Sequence, residues 1–226
     1  MVTGAAGNLG RAVAMAFADL GAKLALVNLH RQRLEQVFGA ESDRQLFLPA
    51  NLLEQSSVNA AVSKAIERFE RIDVLCNLAG GFRMGQPVHE TSDETWNFLL
   101  DVNARTVLNT ARAVVPRMLA SGGGKIVNVG AYAAQKGAAD MGAYAASKSA
   151  VIRLTESMAA ELREKNINVN CVLPTIIDTP ENRAAMPQAD ARRWISPQHL
   201  ASIIVFLASD GSRALHGAAI PVTALS

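Results

Sequence analysis

The chain has 226 residues, half of them hydrophobic and 19% charged, which is too apolar for disorder and long enough for one domain with a substantial core. With 22 Lys and Arg against 20 Asp and Glu, the formal charge of +2 gives no bulk electrostatic reason to bind nucleic acid or an acidic membrane. Cys76 and Cys171 lie in separate apolar segments and the four histidines lack metal-ligand spacing, so the thiols read as reduced core residues, no metal is expected, and chemistry on a small molecule is the starting point.

A glycine-rich loop begins at Thr3, so its feeding strand has only Met1 and Val2, and upstream residues are expected to complete it. Further strands are predicted at 23–29, 45–48, 72–76, 125–129, 167–172 and 218–222. Helical apolar spacing covers 9–20, 55–69, 94–119, 143–165 and 197–208, with Gly21 and the 121–124 turn as stops. The alternation implies an α/β fold, a doubly wound parallel sheet in three α/β/α layers, as one domain spanning 1–226. Long loops follow Gly80, Gly130 and Pro174, on the strand edge where such sheets bind ligands. No run reaches the roughly 20 apolar residues of a membrane helix and no secretory leader is read, so a cytoplasmic protein is expected.

Thr3-Gly-Ala-Ala-Gly-Asn-Leu-Gly10 joins the first strand to the first helix. Gly4 permits a tight turn, Gly7 lets the backbone approach a pyrophosphate, and Gly10 lets the helix pack close to the sheet. The helix N-terminus then offers unpaired N–H groups to phosphates. Dinucleotide folds usually close the second strand with an acidic residue that holds the ribose hydroxyls; this chain has Asn28, then Leu29, His30 and Arg31. An amide does not repel a 2′-phosphate, and Arg31 or Arg33 could pair with one, which favours NADP(H) while admitting NAD(H). The same arginines also read as the start of a solvated helix.

Tyr144-Ala-Ala-Ser-Lys148 places a phenol and an ammonium a turn apart on one helical face. A phenol near pKa 10 is a poor acid or base at neutral pH, and a neighbouring ammonium together with a cationic nicotinamide would lower it. Taken in order, the 3–10 loop, Asn77-Leu-Ala-Gly80, Asp101-Val-Asn103, Lys125-Ile-Val-Asn128, Tyr144-to-Lys148 and Pro174 with Thr179 resemble the short-chain dehydrogenase/reductase family along essentially the whole chain. The resemblance implies a Rossmann-type fold and an NAD(P)-dependent enzyme. By resemblance Tyr144 exchanges a proton with the substrate oxygen, Lys148 binds the nicotinamide ribose, and Asn103 holds a water in the proton relay. It implies a cofactor set of Gly4, Gly7, Asn8, Leu9, Gly10, Asn28, Arg31, Asn51, Leu52, Asn77, Ala79, Gly80, Tyr144, Lys148, Pro174, Ile177 and Thr179, and a homodimer or homotetramer.

The family's serine, thirteen positions before the tyrosine, is here Ala131, and Thr175 replaces the usual glycine after Pro174. Losing that hydroxyl removes one hydrogen bond that polarises a ketone, an effect of about 10²-fold by analogy with an oxyanion donor. The 173–197 loop and Gly80-Gly81-Phe82 are similar to quinonoid dihydropteridine reductases, whose electron-poor substrates need less polarisation. Phe82, Met141, Met186 and Trp194 are candidates to line an aromatic pocket or simply to pack. The expected activity is NAD(P)H-dependent reduction of a quinonoid dihydropteridine-like substrate with Tyr144 as proton donor; reduction of a 3-oxoacyl group or other ketone is the alternative, and NADPH binding without turnover is a third, against which the retained Tyr144, Lys148 and Asn103 argue.

Overall fold

The computed structural model describes residues 1–226 as seven strands and eight α-helices joined by short 3-10 turns. The strands are β1 (Val2–Thr3), β2 (Leu24–Asn28), β3 (Gln45–Pro49), β4 (Val74–Asn77), β5 (Gly124–Val129), β6 (Ile167–Pro174) and β7 (Ala219–Val222). They pair in parallel in the order β3-β2-β1-β4-β5-β6-β7. The helices are α1 (Asn8–Asp19), α2 (Arg31–Phe38), α3 (Gln55–Phe69), α4 (Asp93–Leu100), α5 (Thr106–Ala120), α6 (Gly142–Leu162), α7 (Pro180–Ala185) and α8 (Pro197–Leu207).

Alternate side chains along each strand enter opposite cores, the expected pattern for a sheet covered on both faces. Leu24 and Leu26 join Val2, Cys76, Val127 and Val172 beneath α1 and α8. Ala25 and Val27 join Leu75, Ile126 and Val169 beneath α3, α5 and α6. Each fully buried Leu or Ile contributes about 1.5–3 kcal/mol, so these clusters make the sheet a rigid base for the loops at its edge.

Three helical segments refine what the sequence predicts. The predicted 94–119 helix is present as one uninterrupted helical run, but with a widened π-turn at Asp101–Arg105 that joins α4 to α5. Residues 31–38, read alternatively as a solvated helix start, do form α2, which buries only Leu34. The loop after Pro174 contains α7, started by Thr179, whose hydroxyl accepts from Asn182 N at 3.2 Å, with Pro180 in the first turn. Both thiols are unpaired and buried.

Candidate active site

The strand order reverses at β1 and β4, where Thr3 and Asn77 are in register, and a crevice opens beyond them. The Thr3 hydroxyl accepts from Leu78 N at 3.0 Å and Ala79 N at 3.2 Å, fastening the 77–80 loop to the glycine loop. Gly4 has φ +62°, and a Cβ there would meet Ala79 N at 2.9 Å, so both conformation and space require glycine. A Cβ on Gly10 would run into the Gly4 carbonyl. Gly7 is the N-cap of α1 and gives no side-chain cap, leaving the first N–H groups of the helix, from Asn8 and Leu9 onward, without a capping partner. This cradle fits a pyrophosphate.

Toward the sheet edge the predicted adenosine contacts are engaged locally. Asn51 Oδ1 accepts from Leu53 N at 3.1 Å and its Nδ2 donates to Glu54 at 2.8 Å, while Leu52 packs on the core. Asn28 lies at the end of β2 with Nδ2 3.5 Å from the His30 carbonyl. Arg31 departs from the expectation of a waiting phosphate partner: it binds Glu35 at 2.9 Å and Glu41 at 2.7 Å and lies over the Phe47 ring. Arg33 is exposed and outside the ion pairs.

Between β4 and α6 the side chains are instead buried and cross-linked. Asn77 donates to Asn128 at 2.8 Å, Asn128 donates to Thr155 at 2.9 Å, and Thr110 donates to Asn77 at 2.8 Å, tying β4, β5, α5 and α6 together below the crevice. Asn103 sits in the π-turn, the kind of widened helical turn found at functional sites. Its Oδ1 accepts from Gly81 N at 3.0 Å, and its Nδ2 donates to Gly81 O at 3.1 Å and Ser147 Oγ at 3.0 Å. Both side-chain protons are therefore used, and a water could bond this side chain only by donating to Oδ1. Lys148 Nζ donates to Val129 O at 2.9 Å, and Gly80 leaves room for it: a Cβ there would stand 2.9 Å from Asn103 Oδ1 and 3.2 Å from the ammonium.

Tyr144 is half-buried on α6, with the Phe82 ring edge-on at 4.8 Å. It lines an open cavity of about 310 Å³ together with Arg83, Gln86, Thr91, Thr95, Asp140 and Met141. The Ala131 methyl is buried among Val107, Ala134 and Leu173, beside Tyr144, so no hydroxyl stands where the family's serine would. Of the four aromatic-pocket candidates, Met141 lines the cavity, Phe82 covers the tyrosine edge, Trp194 is buried away from the cavity lining, and Met186 ends α7. Pro174 ends β6, and Ile177 pairs with Ile195 and accepts from Asn182, which shapes the loop on the near side of the crevice. A separate apolar cavity of about 210 Å³, lined by Phe17, Leu24 and Phe69 among others, lies at the opposite end of the strands and carries none of this chemistry.

Residues 1–190 match the family model described as short chain dehydrogenase. The chain belongs to the short-chain dehydrogenase family. This short-chain dehydrogenase is 33% identical to D-threitol dehydrogenase of Mycolicibacterium smegmatis, over 96% of this chain and 88% of that one. It is also 33% identical to the 3-oxoacyl-(acyl-carrier-protein) reductase FabG of Thermotoga maritima, over 98% and 94% of the two chains. Among solved structures, NAD+-bound xylitol dehydrogenase superposes with a TM-score of 0.90 at 27% identity, covering 99% of this chain and 96% of that one. The chain is thus an NAD(P)-dependent oxidoreductase with the Rossmann-like architecture expected.

In this short-chain dehydrogenase the protons rest differently from the expectation. Burial pushes the Tyr144 phenol up to about 12, and no effect of Lys148 offsets it. Lys148 is itself brought down to about 8 by burial, with Cys171 opposing. Lys148 is thus a desolvated group donating to the Val129 carbonyl, and burial alone sets the direction of the Tyr144 shift. Sequence reasoning missed Ser147 as a contributor: its Oγ donates to Tyr144 O at 2.8 Å and accepts from Asn103, joining the two helices. Its position inside the Tyr-to-Lys motif, one residue before the lysine, was the available signal.

Proposed function

We propose that the chain interconverts a small polar secondary alcohol and its ketone, with Tyr144 exchanging the proton and a nicotinamide cofactor carrying the hydride. The carrying observation is that Tyr144 lines a cavity with Arg83, Gln86, Thr91, Thr95 and Asp140, a lining suited to hydroxyl groups. Similarity to D-threitol dehydrogenase supports the same substrate class. In this reading Gly4, Gly7, Asn8, Leu9 and Gly10 hold the pyrophosphate with backbone N–H groups. Asn28 meets the adenosine ribose, Asn51 and Leu52 the adenine, and Asn77, Ala79 and Gly80 border the second ribose. Pro174, Ile177 and Thr179 face the nicotinamide. Lys148 donates to the ribose and Asn103 fixes the Gly81 backbone and α6. The cofactor, when bound, gives or takes the hydride. The protonated phenol then serves directly as acid in reduction, and must lose its proton before oxidation.

A second reading, reduction of a quinonoid heteroaromatic, is favoured by the apolar setting of Ala131 and by the Phe82 edge on Tyr144. Rates with C4–C5 polyols and ketoses, an acetoacetyl thioester and a quinonoid dihydropterin separate the readings. Polyol or ketose turnover, abolished by about 10³-fold or more in Tyr144→Phe with cofactor affinity retained, is the expected result. Dihydropterin turnover alone would move the assignment to the second reading, and thioester turnover alone would replace the polar alcohol with an acyl substrate.

A further inference from the structure

The α7 segment buries none of its own residues. It is shaped by the Thr179 cap and by Arg183 on Asp178, at 2.5 and 2.8 Å, and Asn182 is bonded back to Ile177. One side-chain bond ties it to the glycine loop: Glu181 Oε2 accepts from Asn8 Nδ2 at 2.7 Å, between residues 173 positions apart. Asn8 is the first residue of α1, whose N-terminus has no side-chain cap. A carboxylate therefore stands beside the positive end of that helix, next to the cradle that glycines 4, 7 and 10 leave open. Hydrogen bonds from its own backbone N–H and the Thr179 hydroxyl hold the Glu181 carboxyl below its usual range, with Asn8 and Arg33 adding to them, so the charge is present at neutral pH.

We propose that Glu181 is a charge gate on the cofactor site: its carboxylate, held on Asn8 beside the α1 N-terminus, opposes entry of the cofactor's phosphates and so weakens their binding. The inference rests on the reading of the 4–10 loop as the pyrophosphate cradle. Two anions meet at one helix end, and the carboxylate, exposed on α7 and joined to the glycine loop only through Asn8, is displaced rather than expelled. The gate therefore sets affinity and entry rate instead of blocking the site. Glutamine at 181 keeps an oxygen for Asn8 and removes the charge, whereas alanine removes both.

Calorimetric titration of the full chain with NAD+, ADP and adenosine at low and high salt, for wild type, Glu181→Gln and Glu181→Ala, tests this. Both variants should bind NAD+ and ADP about three- to tenfold more tightly than wild type at low salt, with the gap closing at high salt. Adenosine, which has no phosphate, should bind all three alike, and unchanged thermal unfolding should accompany the shift. Variants whose NAD+ and ADP affinities equal wild type, or fall below it, overturn the gate while leaving the cradle intact. A wild-type chain that binds neither NAD+ nor ADP overturns the cradle itself.

Discussion

The two sides of the crevice hold their polar side chains in opposite ways. On the β1–β3 side, Asn51 and Arg31 are satisfied by neighbours two to ten residues away, at or near the surface. On the β4–β6 side, Asn77, Asn103, Asn128 and Lys148 are buried, and their partners lie on other elements. A backbone cradle needs only glycines and a helix end, so side chains around it can change charge at small cost. A buried network has no water to replace a lost partner, so each member is held in place by the desolvation cost of its loss.

The sharpest way to break that contrast is to delete one asparagine on each side. Asn103→Ala takes the partner of the half-buried Gly81 N–H and carbonyl and leaves the buried Ser147 hydroxyl only its bond to Tyr144 O, and should lower unfolding free energy by about 2–4 kcal/mol in urea titration. It should also lower kcat, because the Gly81 loop and α6 lose their common tether. Asn51→Ala removes a local turn bond whose donor can turn to water, and should cost about 0.5–1 kcal/mol. Equal losses in the two variants would erase the distinction.

The same contrast governed what could be read in the sequence. The glycine loop and the Tyr-to-Lys motif were legible because each is a local pattern with a local purpose, and the strands because apolar runs alternate with helical spacing. The π-turn was not: around Asn103, Thr106, Asn109 and Thr110 the buried face is polar, so apolar periodicity carries no record of the extra residue that widens the helix. Helix α7 was hidden for a related reason, since it buries nothing and leaves only the Thr179-Pro180 start signal. Position alone also could not show that Lys148 is desolvated and bonded to Val129, or that Arg31 is already paired.

Lys148 gives a pH signature intermediate in size. Its folded pKa lies near 8, below the ordinary 10.5, so between those values the unfolded chain holds more protons and stability rises with pH through that window. Burying the ammonium is therefore a cost paid in full below about pH 8 and relieved toward pH 10.5. Lys148→Met, which keeps the buried stem and removes the charge, should be more stable than wild type by about 1–3 kcal/mol at pH 7, and the gap should close by pH 10. Denaturant titrations at pH 7, 8.5 and 10 read this directly. A gap that widens with pH would mean that the folded chain stabilises the ammonium, contrary to its burial.

The smallest effect belongs to Arg31, on the tolerant side. Its ion pairs with Glu35 and Glu41 are solvent-exposed, and such pairs contribute little to folding. Arg31→Ala should leave the thermal midpoint within about 2 °C of wild type. The informative readout is cofactor choice. A guanidinium already shared by two carboxylates has little charge left for a 2′-phosphate, whereas Arg33 is exposed and carries no ion pair. Arg33→Ala should therefore reduce the ratio of NADP+ to NAD+ affinity more than Arg31→Ala does, and titration with both dinucleotides compares them. The reverse order would mean that the Arg31 pairs open for the ligand, and that even this side of the crevice reorganises its side chains on binding.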